Sequence, residues 1–143
     1  MRRAFAAAAI GWAGALPLGA WAAGVPHAAP AWYAAAVAIY GAGSFVCHQL
    51  PPRSFYLWAT AMPVCARCTG IYAGAALTAL ASVVWPGRAA APGRRALILA
   101  AVPTLATLAY EWTTGHVPSN LIRAMAGVPL GGVVAWIVAR EPC

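Results

Sequence analysis

From Ala4 to Gly24 the chain carries no charged side chain, and the stretches 31–47, 64–85, 96–112 and 120–139 hold at most one each. Nothing else in the sequence constrains the fold so strongly. A water-soluble domain draws about a quarter of its residues from Asp, Glu, Lys and Arg, whereas 8% are charged here and 63% are hydrophobic. Backbone N–H and C=O groups in hydrocarbon must bond to one another, which leaves the helix as the simplest spanning structure. About 20 helical residues at 1.5 Å each cross roughly 30 Å. The expected fold class is therefore all-α: a polytopic transmembrane helix bundle forming a single domain over residues 1–143. It has five spans, at 4–24, 31–47, 64–85, 96–112 and 120–139, or four if the first is a cleaved signal. Met1-Arg2-Arg3 and Ala20-Trp21-Ala22 fit such a signal, but the apolar run is longer than a usual signal core, which favours a retained span.

Turn residues punctuate these runs. Pro26 and Pro30 mark the first turn, and Trp32 and Tyr33 suit interfacial depth. Pro51-Pro52 breaks the chain after the second span, leaving 55–62 as a short amphipathic or re-entrant piece. Pro63 is expected to open a helix that carries Cys65, Arg67 and Cys68, and Pro86–Arg95 reads as a loop. Thr113–Pro118 is a turn, and Ser119 or Asn120 caps the last helix. Gly70 and Gly74, like Gly127 and Gly131, stand four apart, the spacing of a small-residue contact face between membrane helices.

The formal charge is +7, from nine basic residues, all arginine, against Glu111 and Glu141. The arginines sit singly or in pairs at the ends of apolar runs, as membrane anchors do, so nucleic-acid binding is excluded as a reading. The implied surroundings are a lipid bilayer in a multi-pass cell-membrane protein, with a second copy or another membrane protein left open as partner. With five spans, Arg2, Arg3, Arg53, Arg67 and Arg123 share one side and Arg88, Arg94, Arg95 and Arg140 the other. If Arg53, Arg67 and Arg123 serve a site, the remaining charges weakly favour that site facing away from the cytoplasm.

Against this apolar background, Cys47, His48, Cys65 and Cys68 fall within 22 residues. Three thiolates and an imidazole form an accepted tetrahedral zinc set, and thiolates also suit Cu(I). Cys47 and His48 are adjacent, unlike the ligands of common zinc fingers. Three thiolates on a divalent ion leave a negative charge that Arg53 and Arg67 are placed to offset. Alternatively, Cys65-Ala66-Arg67-Cys68 near a helix start is an arrangement that stabilises a thiolate for disulfide exchange. A third reading makes the cysteines packing residues within a larger membrane assembly. Glu111 and Arg123 lie at or inside apolar spans, where ionisable groups mark function unless they pair with each other or snorkel. His27 and His116 fall in turns and read as exposed, and Cys143 reads as incidental.

Cys47-His48-Gln49, Arg53-Ser54-Phe55, Val64-Cys65-Ala66-Arg67-Cys68-Thr69-Gly70-Ile71-Tyr72-x-Gly74 and Ser119-Asn120-x-x-Arg123 resemble the motifs of the domain of unknown function 2085 family. Ala126 stands where that family has threonine, and Glu111-Trp112-Thr113-Thr114 replaces its Asp-Gly-x-Thr-Gln stretch. The resemblance, over about residues 30 to 135, implies a small helical membrane protein and carries no activity. Metal site and thiol redox therefore rest on residue chemistry alone: Cys47, His48, Cys65 and Cys68 as ligands, supported by Arg53, Arg67, Glu111, Asn120 and Arg123.

Overall fold

The computed structural model describes residues 2–27, 29–85 and 92–140, so the expectations for the 86–91 loop segment, Glu141 and Cys143 lie outside the described residues. Five helices follow one another: α1 (Arg2–Gly24), α2 (Pro30–Ser44), α3 (Ala66–Val84), α4 (Arg94–Thr114) and α5 (Asn120–Arg140). Between α2 and α3 the chain makes a 3-10 turn at Pro51–Arg53 and a small hairpin of β1 (Tyr56–Leu57) and β2 (Thr60–Ala61). Four of the helices, α1, α3, α4 and α5, are long and apolar enough to cross a membrane. The second expected span is a shorter helix. Its 15 residues reach roughly 22 Å, below the ~30 Å of a hydrocarbon core.

The glycine faces set the centre of the bundle. A Cβ on Gly70 would collide with the Ala124 carbonyl oxygen, and one on Gly74 with that of Val128. The reverse holds for Gly127 against the Arg67 carbonyl oxygen and Gly131 against that of Ile71. Each step of four along α3 is matched by a step of four along α5, so the two helices run parallel with backbones touching. Such contact trades side-chain burial for backbone dispersion and close approach, the mode favoured where lipid removes the hydrophobic drive.

Other contacts give the remaining directions. Trp12 meets Tyr72 edge-on with ring centroids 5.9 Å apart, while Leu16 and Ala20 join Cys47, Met62 and Val64 in the buried core. Helix α1 therefore descends against α3. Thr104 Oγ1 donates to the Ala126 carbonyl at 2.8 Å and Arg67 to Thr107 Oγ1 at 3.2 Å, so α4 runs antiparallel to α5. Helix α2 is different. Trp21 packs on Trp32 and Gly19 on Ile39, which separates the contacts by seven residues on α2 but two on α1.

One end of the bundle thus collects the C-termini of α1 and α4, the N-termini of α3 and α5, and the 45–65 excursion. Arg2 and Arg3 belong to the opposite end, with Arg94, Arg95 and Arg140. This corrects the placement of Arg2 and Arg3 beside Arg53, Arg67 and Arg123, because α1 runs antiparallel to α3. Residues 55–62 form the hairpin rather than an amphipathic or re-entrant piece. Trp58 and Ala59 both have positive φ (50° and 59°), as a two-residue turn matched to strand twist requires. The Tyr40 hydroxyl, bonded to the Ala61 carbonyl, and Gly24, against Thr60 and the Trp58 carbonyl, hold this turn in place.

Gly131→Val places a branched side chain against the Ile71 carbonyl, whereas nothing lies within 4 Å of a Cβ on Gly11. Thermal unfolding in detergent is expected to show Gly131→Val destabilised by about 3 kcal/mol or more, with Gly11→Val close to the parent protein.

Candidate metal centre

The thiols come together from two directions. Cys47 follows the end of α2, where Gly43 accepts the Cys47 N–H at 3.0 Å. Gln49 then takes a positive φ of 48° and its Nε2 donates 2.7 Å bonds to the carbonyls of Tyr40 and Pro63. That amide staples the end of α2 to the strand entering α3. Pro63 and Val64 are buried in a bend before the helix, and α3 begins at Ala66 and not at Pro63. Cys65 is its N-cap residue, with φ −67° and ψ 159°, and Cys68 lies in the first turn.

The result is three free thiols whose sulfurs all lie within 4.8 Å of one another. Cys47 is buried, and Cys65 and Cys68 are partly so. The Cys65 backbone N–H donates to Cys47 Sγ at 3.1 Å, the outer-shell support that thiolates receive in metal sites. The Cys65 thiol is held below its ordinary pKa first by hydrogen bonding from the Cys68 side chain, then by the Cys68 backbone, Cys47 and the Arg123 charge. Partial burial opposes this shift. His48 does not enter the mutual sulfur group. It lines the same cavity of about 340 Å³, together with Cys47, Cys65, Cys68, Arg53, Arg67 and Arg123.

Beneath the thiols lies one carboxylate. Glu111, near the end of α4, has Oε1 2.8 Å from Arg67 NH2 and 3.1 Å from Arg123 Nε, and Oε2 3.5 Å from Arg53 NH1. Glu111 and Arg123 side chains are 3% and 1% exposed, which makes the charge sharing obligatory. Arg123 NH1 also reaches the Arg53 carbonyl at 3.3 Å and Asn120 Oδ1 at 3.4 Å, while Asn120 Nδ2 donates to the Ser54 carbonyl at 2.9 Å. The five supporting residues thus form one network. Arg67 and Arg53 both pair with Glu111, a partner that the expectation of thiolate charge compensation did not include. Pairing of Glu111 with Arg123 is what the structure shows.

Two contributors went unsingled by sequence reasoning, Gln49 as a backbone staple and Thr107 as an acceptor for Arg67. Gln49 stands beside the Cys-His pair, but nothing in its type announces a positive φ. Thr107 lies one helical turn before Glu111 and so shares its face.

Glu111→Ala leaves three guanidiniums without their anion, Arg123 buried and Arg67 largely so, and is expected to cost on the order of 3–5 kcal/mol. Arg53, 38% exposed, is expected to cost under about 1 kcal/mol when replaced by alanine. Comparing both variants by thermal unfolding in detergent checks the ranking.

Comparison with known proteins adds the family. An uncharacterised protein of Methanothermobacter thermautotrophicus is 31% identical over 87 residues, covering 61% of this chain and 78% of that protein. An uncharacterised protein of Methanocaldococcus jannaschii is 46% identical over 43 residues, 30% of this chain and only 28% of that one. No solved structure matches. The model of the domain of unknown function 2085, described as a predicted membrane protein, matches residues 47–137, from the first thiol almost to the end of α5. The chain belongs to this family of predicted membrane proteins.

Proposed function

We propose that this is a multi-pass protein of the cell membrane whose function is to hold a metal ion at Cys47, Cys65 and Cys68, with zinc the leading ion and Cu(I) the second. The observation that carries the reading is the convergence of three sulfurs within 4.8 Å from segments 18 residues apart. Tetrahedral Zn–S bonds of about 2.3 Å bring sulfurs to about 3.8 Å of one another. The ion therefore asks for a contraction of ~1 Å at most. His48 lines the cavity beside the sulfurs, and its imidazole is one donor available for the fourth position on zinc, whereas Cu(I) is content with three thiolates. The guanidiniums of Arg53, Arg67 and Arg123 favour the thiolate forms that either ion needs.

A second reading draws on one observation, the place of Cys65 at the N-cap of α3 beside Cys68, where the helix dipole and Cys68 both favour the thiolate. In that reading Cys65 and Cys68 exchange with a disulfide. Elemental analysis separates the two. The detergent-purified protein is expected to carry about one equivalent of zinc or copper, absent from Cys65→Ser/Cys68→Ser. Absence of metal from the parent, together with a Cys65–Cys68 disulfide that reductant opens, would favour exchange.

We also propose that the site faces away from the cytoplasm. Arg2, Arg3, Arg94, Arg95 and Arg140 lie at the far end, while Arg53, Arg67 and Arg123 gather around Glu111. The positive-inside rule places the far end in the cytoplasm. A fluorescent protein fused after Arg140 is expected to fluoresce and a periplasmic phosphatase fused there to be inactive; the opposite pattern would reverse the orientation.

A further inference from the structure

We infer that the metal-loaded cavity takes a small exogenous monoanion, bound between the ion's open coordination position and the arginine side chains. The inference rests on the zinc reading above and adds a ligand to it. Three guanidiniums and one carboxylate leave two positive charges beside the thiols. Three thiolates on a divalent ion return one negative charge, so one positive charge remains in a cavity between apolar helices. Its neutralisation is worth more there than in water. Neutral His48 in the fourth position would complete the coordination and leave that charge standing. A monoanion does both.

The donors needed for such a ligand are present. Each guanidinium carries five N–H donors in a fixed fork, and Glu111 cannot use them all. Arg53 and Arg67, 38% and 14% exposed, line the cavity together with the three cysteines, so their accessible N–H groups can meet a ligand there. The cavity, about 340 Å³, exceeds what one ion needs and leaves room for a ligand of a few heavy atoms. The class of ligand is thereby narrowed: singly charged, compact, and with an atom soft enough to join a thiolate-rich ion, such as azide, cyanide, hydrosulfide or a small thiolate.

Cobalt(II) replaces zinc as a visible probe, and azide serves as the anion in chloride-free detergent buffer. Titration of the cobalt-loaded protein is expected to shift the cobalt absorption bands saturably. Arg53→Gln should weaken azide about fivefold while still taking up cobalt, and Arg53→Lys should recover most of that loss. Arg53 is the arginine to change because it is the most exposed of the three and the least engaged with Glu111. Thiolate-rich cobalt bands that azide leaves unmoved would overturn the anion site while the metal reading stands. Unchanged azide affinity in Arg53→Gln would overturn the arginine contact. Failure of the parent protein to take up cobalt or zinc would bring down the metal reading and the anion with it.

Discussion

The carboxylate of Glu111 is the one acceptor on which the whole functional end depends. It is the sole acidic side chain among the described residues, and it lies within 3.5 Å of guanidiniums from the 3-10 turn, α3 and α5. Each of those arginines would be costly to bury alone. Sharing one anion, they become a knot that ties four separate parts of the chain at a fixed height in the bundle. Arg123 then extends the knot through Asn120 and the Arg53 carbonyl, and Asn120 carries it on to Ser54. Buried ion pairs of this kind contribute more to where elements sit than to net stability.

The knot is reachable because of what lies behind it. Glycines along α3 and α5 let the two backbones touch from Gly70 to Gly131, which sets their first turns side by side. Arg67 and Arg123 therefore stand close enough to share Glu111 Oε1, and Cys65 and Cys68 are held at the mouth of the same helix. A side chain at any of these glycines would separate the helices and, with them, the two arginines. Packing in the apolar middle and charge at the polar end are thus one construction.

Much of this was legible in the sequence. Scarcity of charge announced the membrane helices, four-residue glycine spacing marked a contact face on α3 and another on α5, and Glu111 and Arg123 stood out, with their pairing one of the readings left open. Three thiols in an apolar chain announced a cluster. What the residues could not show was geometry that depends on distant partners. The stretch 31–47 is as apolar as a true span, but its helix is only 15 residues long and stops at Ser44. The hairpin at 56–61 has Trp58 and Ala59 at left-handed positions usually given to glycine or asparagine, so turn chemistry pointed elsewhere. Pro63 is a common first-turn residue, yet here α3 begins only at Ala66, and Gln49 binds the Pro63 carbonyl.

The hydrogen bond from Cys65 to Cys47 Sγ joins residues 18 apart, and the loop between them contains the hairpin and Arg53. A cross-link at that point acts as a drawstring. Closing a loop of this length removes about 3 kcal/mol of freedom from the slack chain. A link between Cys47 and Cys65 closes a loop that contains Arg53, so the thiol cluster and the Glu111 ion pairs share one stretch of chain.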